Sequence, residues 1–196
     1  RRSSDLFRNQ YLEIRVIGEE GKPECYFLEI GAELESQLVK IVERANVNCS
    51  HVYVGVALRD NNKSGKESDC SIITFLVVDH DEIDGLKIKD IEDPGEREAA
   101  RQKILERLEN ETDFAPTMII DSGNGYHAYY SFDAAINVRE FAVEIKRKCK
   151  WLADRYDDCP GDPAMLKIAQ PIRLPGSLNV KNLDDIKPCQ IVKYDP

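Results

Sequence analysis

The 196-residue chain contains no apolar run long enough to span a membrane and no recognisable signal peptide. A cytoplasmic domain without a membrane partner is therefore expected. It has no CxxC pair. Its six cysteines, Cys25, Cys49, Cys70, Cys149, Cys159 and Cys189, follow no regular spacing, which favours scattered free thiols over the alternative of a zinc site. Basic residues are short: 27 Lys and Arg face 36 Asp and Glu, a net charge of −9. That excludes a protein that coats nucleic acid through bulk charge. It leaves room for a local basic groove, and an acidic surplus is also what a metal site contributes to. There is no internal repeat, no low-complexity linker and no initiator Met. The chain opens on Arg1-Arg2-Ser3-Ser4 and is expected to be an excised piece of a longer protein with further flanking domains.

What is present, 42% hydrophobic and 32% charged residues, suits one globular domain over residues 1–196. Alternation predicts a strand over Tyr11–Ile17 and a hairpin partner over Cys25–Ile30 after the Gly21-Lys22-Pro23 turn. Leu34, Leu38, Ile41, Val42 and Ala45 carry the spacing of an amphipathic helix. Ser50–Leu58 and Ile72–Val78 read as strands that pair across a polar loop. Pro94 opens a charged helix with an apolar stripe at Ala100, Ile104, Leu105 and Leu108. Residues 117–132 read as strand, glycine turn, strand. Val138, Phe141, Ile145, Cys149 and Leu152 mark another helix, which carries the basic run Lys146–Lys150, and Cys189–Tyr194 a last strand. The mixture is α+β with antiparallel hairpins.

Three stretches carry chemistry. The apolar strand in "SIITFLVVDHDEID" ends on Asp79-His80-Asp81. Residues i and i+2 of a strand share a face, roughly 6–7 Å apart, so Asp79 and Asp81 project together and His80 points away. Two carboxylates so placed repel unless cations neutralise them. Two divalent ions about 4 Å apart would do so, and hard ions such as Mg²⁺ or Mn²⁺ prefer these oxygen ligands. The plain alternative is a strand end in solvent, where Asp is common. In "DSGNGYHAYY", Ser122, Gly123, Asn124 and Gly125 form a tight turn whose N–H groups suit phosphate oxygens. His127 follows at the start of the next strand, either as a donor to a triphosphate or as an ordinary core histidine. In "DDCPGDPAMLKIAQPIRLPGSLNVKN", Asp157, Asp158 and Asp162 offer a further carboxylate. Arg173, Ser177, Asn179 and Lys181 offer phosphate or base contacts.

Taken in order, strand-DxD, strand-SGxGxH-strand, an acid and RxPGSxNxK, the motifs resemble those of the archaeo-eukaryotic primase superfamily, the primase-polymerases. "RLPGSLNVK" and "HVYVGVALR" resemble the subset formed by plasmid and phage replication primases and CRISPR-associated primase-polymerases. The likeness covers residues 50–182. It implies an α/β unit packed on an RRM-like unit with the active site in the cleft between them. It implies template-directed nucleotidyl transfer on single-stranded DNA from dNTPs or NTPs, with two ions, Mg²⁺ or Mn²⁺, held by Asp79, Asp81 and a third acid. Asp162 is preferred for that role because Pro160-Gly161 separates it from Asp157 and Asp158; on this likeness it should lie on a strand. Ser122, Gly123, Asn124, Gly125 and His127 would bind the triphosphate. Arg173, Ser177, Asn179 and Lys181 would line the nucleotide or template side, with charge added by Arg59. CRISPR or replication proteins are the implied partners of the longer chain. Two rivals stand beside this reading. A metal-dependent replication-initiator nuclease usually has paired His and a nucleophilic Tyr, whereas the three His here lie far apart. A non-catalytic nucleic-acid-binding module of the same fold would not need all three acids and the His.

Overall fold

The computed structural model describes residues 7–162 and 166–195. A nine-stranded antiparallel sheet dominates it. Strand β1 (Tyr11–Ile17) pairs along one edge with β2 (Pro23–Glu29), and along the other with β3 (His51–Gly55) and, at Tyr11, with β4 (Leu58–Arg59). The expected strand at 50–58 is thus divided. Its first half lies between β1 and β10 (Pro171–Arg173), while its second half pairs with β5 (Cys70–His80). Crossing this break, the chain links two halves of one sheet.

The first half is covered by α1 (Leu34–Val47), whose Ile41 and Ala45 close on Ile14, Val16 and Val52. The second half continues from β5 to β9 (Tyr126–Asn137), β8 (Met118–Asp121) and β13 (Gln190–Tyr194). On it lie α2 (Pro94–Glu109) and α3 (Val138–Ala153). Asp93 caps α2 by accepting from the Glu96 N–H with Pro94 in the first turn, and Asn137 caps α3 through Arg139 and Glu140, as their positions predict. Ile104, Leu108, Ile145 and Leu152 meet Leu76, Val78, Ala128 and Tyr130 of the sheet in the larger core.

Among the described residues no α-helix covers the opposite face of β5 and β9. Val77, Tyr129 and Ile120 there pack with Ile172 of β10 and Cys189, joining the two halves. Short ribbons complete the described residues: β6 (Glu82–Ile83) with β7 (Leu86–Lys87), and β11 (Leu178–Asn179) with β12 (Lys187–Pro188). All six cysteines are free, and no helix among the described residues is long and apolar enough to cross a membrane. Of the stretch expected to carry the Asp162 strand, Pro163, Ala164 and Met165 lie outside the described residues, and 166–170 form no strand.

Candidate active site

At the seam, on the uncovered face, lies a pocket of about 150 Å³. Asp79, Asp81, Ser122, Asn124, Gly125, His127, Asp162, Arg173, Asn179 and Lys181 all line it. These residues come from five segments spread over a hundred positions of sequence.

The sheet register explains the first group. Alternation along β5 sends Leu76, Val78 and His80 to the helix side and Val77 and Asp79 to the seam side. His80 is fully buried, its Nδ1 3.0 Å from the Cys159 carbonyl and its ring against Tyr156. Burial lowers its pKa to about 4. Asp79 stands opposite His127 in the β5–β9 register, with His127 Nε2 3.8 Å from Asp79 Oδ2. Asp162 joins them because its N–H donates to the Asp79 carbonyl at 2.7 Å. Gly161 makes that approach feasible: a Cβ there would sit 2.1 Å from Val78 Cγ1 and 2.9 Å from Ala153 Cα. Asp158, the competing acid, lies elsewhere, in the groove between the ends of α2 and α3, 3.3 Å from Arg107.

The Ser122–Gly125 turn packs against the end of β5 so closely that a Cβ on Gly125 would meet the His80 carbonyl at 2.4 Å. Ser122 donates its N–H and its Oγ to the Gly125 carbonyl, and the Gly123 N–H goes to Asp121 Oδ1. These donors hold the turn together, so a phosphate cradle is not built on them. Asn179 clamps the turn from β11, its Nδ2 donating to the Ser122 carbonyl at 2.9 Å.

Arg173 is the main cation of the cleft. Its guanidinium is buried, donates to His51 Nδ1 at 2.8 Å, the Leu178 carbonyl at 3.1 Å and Tyr53 Oη at 3.3 Å, and stacks over the Tyr53 ring. Among the described residues it has no carboxylate partner, although a buried charge normally requires compensation. His51 is pushed down to about 4 by burial and by Arg173 and Lys181, so it accepts from Arg173 as a neutral ring.

The electrostatics set carboxylates and cations against one another across the pocket. Burial, then Asp81 and Asp162, push Asp79 up to about 7, and its Oδ1 is buried without a hydrogen-bond partner among the described residues. Burial, with Arg173, His80 and Lys181, pushes His127 down to about 3. Lys87 stands 3.7 Å from Asp81 at the rim, with its pKa raised chiefly by that carboxylate.

Three of the expected residues are not brought into the pocket. Arg59 is fully buried in an ion pair with Glu13 and contacts Cys70, because β4 turns it into the interior of the sheet; the charge expected from it at the site does not reach there. Ser177 is buried and gives its hydroxyl to the Leu174 carbonyl at 2.6 Å, shaping the turn that delivers Asn179. Gly123 faces Asn179 and Lys187 instead of the cavity. Conversely, Tyr53, His51 and Lys87 were missed. The first two were within reach, since the alternation of "HVYVG" puts them on one strand face.

The fold has counterparts. No protein-family model matches the chain, and no curated protein matches it by sequence. Among solved structures, the AEP domain of the cyanophage S-2L primase-polymerase superposes with a TM-score of 0.51 at 13% identity, over 95% of this chain and 85% of that one. The catalytic domain of primase RepB′ in complex with initiator DNA gives 0.57 at 17% identity, over 98% and 81%. A second structure of primase RepB′ gives 0.60 at 18%, over 98% of this chain and 54% of that one. The architecture is therefore that of a primase catalytic domain, a mixed α+β unit built on a large antiparallel sheet. More particularly, it is the fold of the archaeo-eukaryotic primases, the AEP fold.

Proposed function

We propose that this domain is a primase-polymerase: a template-directed nucleotidyltransferase that makes primers and extends them on single-stranded DNA. The observation that carries the reading is the seam pocket, where a cluster of carboxylates faces a buried Arg173, which has no carboxylate partner among the described residues, across a space lined by Asn and His. Such a site suits an anionic substrate accompanied by cations.

Asp79, Asp81 and Asp162 would hold the ions, and Mg²⁺ or Mn²⁺ fits their hard oxygen donors. The orphaned Asp79 Oδ1 and the mutual repulsion that raises Asp79 are what bound cations relieve. Among the described residues no three His, Cys, Asp or Glu stand together at coordinating distance, so binding would draw the carboxylates inward. Two ions there supply charge that lowers the pKa of an attacking hydroxyl and neutralises the leaving group.

The protein's own side chains do the positioning. Arg173 and Lys181 attract the triphosphate, and His127 donates to one of its oxygens from a buried position. Tyr53 presents an aromatic face beside Arg173 for the base or sugar. The 3′-oxygen of a strand then bonds to the α-phosphorus while the bond to the oxygen bridging to the β-phosphorus breaks. Pyrophosphate leaves with that electron pair, and the hydroxyl proton is lost to solvent. Incubation with Mn²⁺, single-stranded DNA and labelled nucleotides, with and without a primer, should give template-dependent products; no incorporation under either condition would overturn the reading.

Three expectations follow at the level of single residues and of DNA binding. His127→Ala should weaken nucleotide binding by about 1.5–3 kcal/mol, the worth of a hydrogen bond to a charged group, with template binding unchanged. Normal nucleotide affinity with a sharply lowered melting temperature would instead make His127 a core residue. Asp162→Asn should abolish Mn²⁺-dependent extension and Asp158→Asn should leave it near normal, since Asp158 pairs with Arg107 outside the pocket; the reverse result moves the third ligand upstream. Single-stranded DNA should bind weakly without nucleotide and metal. With a net charge of −9, only the local cations can attract phosphate. Roughly three such contacts give a log–log salt slope of about −2 in a titration, and a flat slope with tight binding would contradict this.

A further inference from the structure

Three arginines are buried among the described residues: Arg59, Arg101 and Arg173. Two of them are neutralised where they stand. Arg59 pairs with Glu13, and Arg101 Nη2 lies 2.5 Å from Asp121 Oδ2. A buried guanidinium is expected to draw such a carboxylate. Arg173 is held instead by His51, Tyr53 and the Leu178 carbonyl, and the difference falls at the one buried arginine that lines the seam pocket.

The strand ladder sets these partners. Arg173 of β10 stands directly opposite Tyr53 of β3. His51, two residues before Tyr53, projects from the same strand face, with the two rings 5.9 Å apart. It is therefore the diagonal neighbour of Arg173 across the pair, and its Nδ1 accepts from Nη1 at 2.8 Å. His51 itself does not line the pocket, so whatever it does there it does through Arg173. Burial, then Arg173 and Lys181, lower its pKa to about 4, which leaves the ring uncharged at neutral pH. A neutral imidazole offers one lone pair and no net charge. It can orient a guanidinium and cannot cancel its charge. The donors are divided in the same sense. Nη1 serves His51 and the Leu178 carbonyl, and Nη2 serves the Tyr53 hydroxyl. Nε–H and the second Nη2–H have no partner among the described residues, and they suit a phosphate oxygen.

We infer that His51 is a positioning residue: a neutral acceptor set behind Arg173 that fixes the guanidinium while leaving its full positive charge to act across the pocket. This rests on the nucleotidyl-transfer reading and adds to it a residue that stands behind the nucleotide contact. The choice of partner sets stability against affinity. A carboxylate at position 51 would give Arg173 the compensation that Arg59 and Arg101 have, and would cost it attraction for an anionic substrate. Stability and nucleotide binding should then move in opposite directions, which a residue that only fills space would not bring about.

The test is binding of ATP and of dATP with Mn²⁺, by calorimetry, to the wild type and to His51→Asn, His51→Asp and His51→Leu, with the melting temperature of each protein measured alongside. Asn places an uncharged acceptor oxygen near the position of Nδ1 and should keep both affinity and melting temperature close to wild type. Asp offers the same acceptor with a charge. It should melt at or above wild type and yet bind the triphosphate about tenfold or more weakly, the effect of cancelling a charge-assisted contact. Leu leaves a buried Nη1 donor unpaired and should lose both melting temperature and affinity. In primer extension the Asp variant should raise the nucleotide KM more than it lowers kcat. An Asp variant that binds triphosphate as tightly as wild type overturns the inference. So does an Asn variant as weak as Leu, or an Asp variant that loses melting temperature together with affinity, either of which would make His51 a packing residue. The wild type separates the two layers of argument. Nucleotide binding and extension by the wild type, with an indifferent Asp variant, remove only the role of His51; a wild type that neither binds nor incorporates nucleotide overturns the nucleotidyl-transfer reading and this inference with it.

Discussion

Asp79→Asn and Asp81→Asn are each expected to lower nucleotide incorporation by roughly 10²–10³-fold, the usual effect of deleting one preorganised charge-stabilising group, while neither unfolds the domain. Asp79→Asn should in fact melt higher than wild type in metal-free buffer at pH 8. The reason is the direction of its pKa. Folding raises the Asp79 carboxyl from 3.8 to about 7 through burial and the fields of Asp81 and Asp162. The folded state therefore holds this proton more tightly than the unfolded state does. The associated stability is fully present below about pH 4 and is lost as the pH rises through 7. Neutral Asn escapes that loss, so its advantage over Asp should shrink as the pH falls toward 4. Mn²⁺ or Mg²⁺ should raise the melting temperature of the wild type and have little effect on Asp79→Asn. Differential scanning fluorimetry across pH 4–8, with and without metal, reads all of this without an activity assay. An Asp79→Asn protein that turns over normally, or a wild type indifferent to both ions, would remove the carboxylates from the chemistry.

How much of this was legible in the sequence follows from the range over which each signal acts. Periodicity is local, and the strands and helices that depend on it appear where expected, with β5 running to His80, two residues past the apolar run. The projection of Asp79 to one face and His80 to the other needed only the pleat. The grouping of Asp79 with Asp162 and Arg173 came instead from the order of motifs, because no local rule brings residues 79, 162 and 173 together. The break of the 50–58 strand was invisible: it depends on β10 and β5 competing for its two ends, and β10 is three residues long. The Arg59 expectation failed for a related reason. Its position after an apolar strand suggests a rim charge, but its partner Glu13 lies 46 residues away on β1 and both side chains are buried. Ser177 looked like a ligand and is a turn-former, since nothing in "PGS" reveals that the hydroxyl is spent on the Leu174 carbonyl.

The buried pair itself yields the largest expected effect on stability. Glu13 Oε2 accepts from Arg59 Nε at 3.0 Å and from Nη2, Glu13 Oε1 accepts from Arg15 Nε at 2.6 Å, and Arg59 Nη1 reaches Cys70 Sγ and the Lys66 carbonyl. Both charges have left water; among the described residues Glu13 is the only carboxylate paired with Arg59, whereas Glu13 is also held by Arg15. Removing Glu13 therefore leaves an uncompensated buried charge, which costs about 3–5 kcal/mol. Glu13→Ala should cost that much in urea denaturation and lower the melting temperature by about 10 °C, at roughly 2–4 °C per kcal/mol for a domain of this size, and Arg59→Ala should cost less, because Arg15 still pairs with Glu13. The double variant Glu13→Leu/Arg59→Met should recover most of the loss, because replacing both partners with apolar side chains removes the desolvation cost together with the attraction. At a temperature where it remains folded, that double variant should also keep the nucleotide KM of the wild type, since Arg59 lies outside the seam pocket. A double variant that regains stability and yet has lost nucleotide affinity would return Arg59 to the nucleotide site.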